Sequence, residues 1–82
     1  MQILKFSADW CAPCKALDTQ LKRLFPLLDI QHIDIDSTEG RKAAILYGVR
    51  SVPTLILLDE TGEERNRLTG SVSDAKLKEF FE

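Results

Sequence analysis

The segment Trp10-Cys11-Ala12-Pro13-Cys14-Lys15 holds both cysteines of the chain beside its single tryptophan. A thiol pair separated by two residues can do three kinds of chemistry: close a permanent staple, supply half of a metal site, or carry electrons by alternating between dithiol and disulfide. The staple is the weakest reading, because so short a loop removes little entropy from the unfolded chain. A closed zinc site needs four ligands, and beyond Cys11 and Cys14 the chain offers only His32. No metal is therefore expected, and redox chemistry is favoured. It requires one thiol that ionises readily and a second that can reach it.

A helix beginning just after Cys11 meets both requirements. Unpaired N–H groups and the helix dipole favour negative charge at that end, so the Cys11 thiol is expected to have a depressed pKa and to supply the nucleophilic thiolate. Cys14, one turn inside, is the natural resolving thiol. Cys11 attacks a substrate disulfide to form a mixed disulfide, and Cys14 then displaces the reduced product and closes the pair. Pro13 suits the first helical turn, where its missing N–H is no loss, and stiffens the loop between the sulfurs. Trp10 has two readings: a shield presenting a flat apolar surface to a partner, or an ordinary core residue.

The elements that must hold these residues are legible in the hydrophobic pattern. Met1 to Ser7 is short and apolar enough for a strand running into the cysteine segment. Cys14, Leu17, Leu21, Leu24 and Leu28 recur at intervals of three and four, as one helical face does, and Pro26 disfavours helical geometry at Phe25, ending this helix near Leu24. Ile30 to Ile35 alternates like a strand with one buried face, and Asp36-Ser37-Thr38-Glu39 has the spacing of a capping box opening a helix to about Tyr47, stopped by Gly48. Thr54 to Asp59 reads as a buried strand, Glu60-Thr61-Gly62 as a hairpin turn, and Glu64 to Thr69 as a polar edge strand broken by Gly70. Ser73 caps a last helix through Phe81, with Leu77, Phe80 and Phe81 turned toward the sheet. The order βαβαββα predicts an α/β fold: helix crossover makes the first two strands parallel, a tight hairpin makes the last two antiparallel, and the result is a four-stranded mixed sheet with helices on both faces.

The totals set the limits. Eighty-two residues predict a single domain over 1–82, burying about 60–65% of its unfolded surface. At 44% hydrophobic and 29% charged residues the chain reads as a soluble globule, not as a disordered, collagen-like or disulfide-dense secreted chain. A net charge of −2, with the signs mixed along the chain, gives no field for nucleic acid or anionic lipid, so neither is an expected partner. No run approaches the ~20 apolar residues of a membrane span. Lys5 and Asp9 stand where an export signal would be apolar, so the expected location is the cytoplasm, where such cysteine pairs are more often catalytic or metal-binding than structural.

Three blocks in order, Trp10-Cys11-Ala12-Pro13-Cys14-Lys15, then Tyr47-Gly48-Val49-Arg50-Ser51-Val52-Pro53-Thr54, then Gly70 with Leu77-Lys78-Glu79-Phe80, resemble the thioredoxin family over nearly the whole chain. The resemblance implies a minimal thioredoxin fold, with a cis peptide before Pro53 next to the cysteines and the Val52 backbone receiving a substrate strand. It also implies a shallow apolar groove of Trp10, Ala12, Val52, Pro53, Gly70 and Ser71 around the exposed sulfur. From the residues alone, Pro53 can equally open a strand in trans, Val52 can be core and Gly70 a turn. The activity implied is thiol–disulfide oxidoreduction, acting as a protein-disulfide reductase through the redox-active Cys11–Cys14 disulfide with no bound cofactor. The partners implied are disulfide-containing proteins and an electron donor, thioredoxin reductase or glutathione; a monomer is expected. The rivals are a glutaredoxin-like, glutathione-dependent enzyme and a non-catalytic thioredoxin-fold binding module.

The chain departs from the family in three places. It starts at the central strand, as glutaredoxins and miniature thioredoxins do. Ala12-Pro13 stands between the cysteines, closer to the Gly-Pro of thioredoxins than to the Pro-Tyr of glutaredoxins. Lys5 occupies the position, six before Cys11, where thioredoxins typically bury an aspartate that assists proton transfer at the resolving thiol, and His32 replaces the lysine opposite it. The favoured reading is that the Lys5 stem runs along the sheet to water and that His32 is a partly exposed strand residue. The sharper reading puts Lys5 beneath the cysteines, paired with Asp34 or neutral enough to accept a proton, with a positive Lys5 favouring the thiolates and shifting the couple in the oxidising direction.

Overall fold

Seven elements succeed one another in a computed structural model that describes all 82 residues: β1 (Gln2–Ser7), α1 (Ala12–Leu24), β2 (Ile30–Asp34), α2 (Thr38–Leu46), β3 (Thr54–Leu58), β4 (Glu64–Thr69) and α3 (Asp74–Phe80). The strands form one sheet in the order β2-β1-β3-β4. Crossover through α1 makes β2 parallel to β1, while β3 is antiparallel to both β1 and β4. β3 is buried at every position, as a central strand covered on both faces must be.

Side-chain alternation along β1 and β3 divides the core into two layers. Ile3, Leu55 and Leu57 meet Leu17 and Leu21 of α1 and Leu77 and Phe80 of α3. Leu4, Phe6, Ile56 and Leu58 meet Ala43, Ala44 and Tyr47 at the end of α2. Helices thus cover both faces, and each fully buried leucine contributes about 1.5–3 kcal/mol. β2 corrects the expected single buried face: Ile30 packs into the first layer and Ile33 into the second, because the apolar alternation slips between them at this edge strand.

Local chemistry explains the boundaries. α1 ends with Phe25 as its cap, one residue before Pro26. α2 stops at Tyr47, where Gly48 takes a φ of 65°. Its start corrects the expected capping box. Ser37, not Asp36, is the cap, its hydroxyl oxygen accepting the Gly40 N–H at 2.9 Å, which leaves Glu39 at the second helical position and unable to close the reciprocal bond. In the hairpin, Asp59 accepts hydrogen bonds from the Thr61 hydroxyl at 2.6 Å and from the Thr61 and Glu63 N–H groups at 2.9 and 3.1 Å. Arg67 ties edge strand β4 to the end of α2, donating to the Tyr47 carbonyl at 2.5 Å while pairing with Glu64 at 2.7 Å.

Three carboxylates, Asp59, Glu64 and Asp74 at the start of α3, predict how the fold responds to acid. The Thr61 hydroxyl holds Asp59 below its ordinary 3.8, the Arg67 hydrogen bond holds Glu64 below 4.5, and the Arg23 hydrogen bond, then that from Gln20, holds Asp74 below 3.8. A carboxyl depressed by folding contributes stability above its unfolded value and loses it as the pH falls through the folded one. The urea midpoint is therefore expected to hold level down to about pH 4.5 and to fall below it. A midpoint that rose on further acidification would contradict these assignments.

Candidate active site

Cys11 is the N-cap of α1, with extended φ and ψ of −91° and 102°. Its Sγ accepts the N–H of Cys14 at 3.1 Å, doing for this helix what a serine oxygen does at an ordinary cap. Pro13 falls in the first turn, where no N–H is needed. The two Cα atoms stand 5.3 Å apart and the sulfurs are joined in a disulfide. The pair packs with Ala8 and against Ile35 and Val52. Cys11 is 4% exposed and Cys14 2%, which corrects the expectation of an exposed sulfur, since these apolar neighbours close over the disulfide.

The Val52–Pro53 peptide is cis, Pro53 is buried, and β3 starts only at Thr54. Gly70, with a φ of 83°, donates its N–H to the Pro53 carbonyl at 2.9 Å, so the end of β4 is fastened to the proline beside the cysteines. Ser71 follows, exposed to solvent. Trp10 is 69% exposed, which removes the core reading, and its indole Nε1 donates to Asp36 at 2.9 Å. Ala12 and Pro13 are exposed beside it.

The thioredoxin family model matches residues 1–82. The chain belongs to the thioredoxin family. It is 41% identical over 71 residues to a thioredoxin of Chlamydia trachomatis, covering 83% of this chain and 67% of that one. It is 36% identical over 70 residues to the prophage-derived thioredoxin-like protein YosR of Bacillus subtilis, covering 85% and 82%. Among solved structures, a mutant thioredoxin from Halobacterium salinarum superposes with a TM-score of 0.79 at 35% identity, over 94% of this chain and 67% of that one. Membership together with the joined cysteine pair makes this thioredoxin-family chain a thiol–disulfide oxidoreductase. No helix is long and apolar enough to cross a membrane.

Against the thioredoxin pattern, Lys5 is the unusual residue, and the structure overturns the reading that takes it to water and, in the other, the choice of Asp34 as its partner. It does not reach water: it is 1% exposed, enclosed between the sheet and α1. Nor does it pair with Asp34, whose carboxylate accepts the Asp36 N–H at 2.9 Å. Its ammonium lies 3.0 Å from Asp18 on α1. His32 is exposed and stands opposite Lys5 in the β1–β2 register.

Sequence reasoning missed Asp18, Asp36 and a groove beside Val52. The groove, about 370 Å³, is lined by Ile35, Ala44, Ile45 and Val49, with Arg41 and Arg50 among its walls. A signal for Asp18 existed: it stands four residues after Cys14, at the interval that places two side chains on one helical face. Arg41 and Arg50 carried none, since scattered arginines converge only once α2 has packed.

Proposed function

We propose that the chain is a protein-disulfide reductase, one domain acting as a monomer in the cytoplasm and carrying its electrons on the Cys11–Cys14 pair without a bound cofactor. The observation that carries this reading is Cys11 at the positive end of α1 with the Cys14 N–H directed at its sulfur at 3.1 Å. On reduction the same donors favour the Cys11 thiolate. That thiolate attacks one sulfur of a substrate disulfide, and the other leaves as a thiolate that takes a proton from water. Cys14 then gives up its proton and attacks Cys11, expelling the second substrate sulfur and restoring the disulfide. Two electrons and two protons pass to the substrate.

Trp10, Ala12, Val52, Pro53, Gly70 and Ser71 are the proposed substrate-binding and supporting surface, with Pro13 stiffening the dithiol loop. Support comes from the exposure of Trp10 and from the tie between Gly70 and cis-Pro53. Thioredoxin reductase is the proposed electron donor, since Ala12-Pro13 is closer to the thioredoxin spacing residues than to those of glutaredoxins. Insulin reduction is expected with NADPH and thioredoxin reductase, at least about tenfold faster than with glutathione and glutathione reductase.

A glutathione-dependent reading draws on one specific observation, the convergence of Arg41 and Arg50 on the groove beside Val52, where they are suited to carboxylates. Turnover supported only by glutathione would replace the first reading with this one. Biological activity that survived serine at both Cys11 and Cys14 would point instead to a binding module.

A further inference from the structure

Lys5 is the only buried charged side chain, and a charge so dry is costly unless partnered. Asp18 supplies the partner at 3.0 Å, but the two are not equally shielded: the lysine side chain is 1% exposed and the aspartate 37%. The aspartate also lines a cleft of about 280 Å³ between α1 and β2, shared with His32, Asp29 and Lys22. The pair therefore has a sealed cationic end and a wet anionic end.

Its position follows from two periodicities. Along β1, Lys5 shares a face with Ile3, which packs beneath Leu17 and Leu21 of α1, and it stands two residues nearer the cysteine end. Along α1, Asp18 follows Cys14 by four residues, which makes them neighbours with Cβ atoms about 5–6 Å apart. Helical side chains lean toward the helix amino terminus, so Asp18 leans toward Cys14. This spacing places the ion pair about one turn beneath the resolving thiol.

Cys14 has need of it. The thiol is 2% exposed among Ala8, Ile35 and Val52, surroundings that oppose a thiolate, and the N–H groups at the helix end serve Cys11 rather than Cys14. Asp18 offsets part of the Lys5 charge, but water screens the half-exposed carboxylate and not the enclosed ammonium, so the field of the pair at Cys14 is biased toward that of the cation. The cleft beside the pair also holds Lys22 on α1, His32 on β2 and Asp29 before it, and Lys15 stands three residues before Asp18 on α1; all four are exposed. The buried residues that β3 and α3 bring to this layer, Leu55, Leu57, Leu77 and Phe80, are all apolar.

We propose that Lys5 and Asp18 are positioning residues for the resolving step: the buried ammonium favours the Cys14 thiolate, and the half-exposed carboxylate opens a route by which the proton leaves to water in the α1–β2 cleft. In that step the Cys14 S–H loses its proton to water. The thiolate forms the bond to Cys11 Sγ, the bond from Cys11 to substrate breaks, and the departing substrate thiolate is protonated from solvent. The proposal rests on the redox reading of the cysteine pair and adds what drives its second half.

Reduced protein mixed with 5,5′-dithiobis(2-nitrobenzoate) separates the two halves by stopped flow. Attack by Cys11 releases the first coloured thiolate, and displacement by Cys14 releases the second. Lys5→Met is expected to slow the second release about tenfold at pH 7 and to move its pH midpoint up by about one unit, an ordinary size for a shift imposed by a folded protein. The first release should stay within about twofold. The double variant Lys5→Met/Asp18→Asn removes both charges without stranding either, and should shift the second release in the same direction while remaining folded. A second release whose pH profile overlays the parent's in both variants, or equal slowing of both releases, would overturn the proposal. A parent that releases colour in neither phase would overturn the redox reading itself, a distinct result.

Discussion

With serine in place of Cys11, insulin-disulfide reduction is expected to fall by about 10³-fold or more, to the background of the reductant alone. An effect this large follows because Cys11 has no substitute. It is the sulfur that caps α1 and accepts the Cys14 N–H, whereas Cys14 lies inside the first turn. A serine oxygen in the same place would still cap the helix and accept the Cys14 N–H, so the fold is retained while the nucleophile is lost. Cys14→Ser makes a different prediction. The first attack proceeds, nothing expels the substrate, and the protein accumulates as a mixed disulfide through Cys11. Non-reducing gels and intact mass should show one substrate thiol bound per chain, released by dithiothreitol. Were Cys11→Ser to retain turnover, or Cys14→Ser to trap nothing, the division of roles between the two sulfurs would be wrong.

What could be read from the sequence was what local chemistry decides. Pro26 ends α1, Gly48 ends α2, Ser73 caps α3, and the face of Leu17 and Leu21 does bury. The cysteines fall where a helix start puts them, because the spacing that brings two sulfurs together is set within a single turn. The errors came where a choice depends on docking between distant elements. Asp34, one strand away, is a reasonable partner for Lys5 on paper. In the register, however, Lys5 faces His32, and Asp34 is committed to the turn into α2, where its side chain and its carbonyl both accept hydrogen bonds. The ammonium goes instead to Asp18, thirteen residues on, because α1 lies directly over that face of β1. Trp10 is a different case: its residue type left an exposed shield and a core residue equally open, and docking decides for exposure, with the indole N–H fastened to the Asp36 carboxylate.

Gly40→Ala is expected to destabilise the protein by about 3 kcal/mol or more, against the helix propensity of alanine, which alone would favour the change by about 1 kcal/mol. Gly40 is the third residue of α2, and no unusual backbone angle demands glycine there; space does. A Cβ at this position would stand 1.7 Å from the Asp34 carbonyl oxygen, 2.5 Å from its carbon and 2.8 Å from Ser37 Oγ. The carbonyl has little room to withdraw, since it accepts both the Ser37 hydroxyl at 2.7 Å and the Ser37 N–H at 3.1 Å, the bonds that fold β2 back into α2. Relief requires α2 to move off the strand, which disturbs Ile35 against the cysteines and Asp36 beneath Trp10, so activity should fall together with stability. Gly62→Ala is the matched control. Open space surrounds it, and with a φ of 86° alanine there meets only the backbone strain of about 1 kcal/mol. In thermal melts the first substitution should lower Tm by about 10 °C or more and the second by about half of that or less. A Gly40→Ala protein that melted with the parent would mean that α2 slides freely over β2, and with it that the loop from Ile35 to Ser37 does not hold the edge of the site in place.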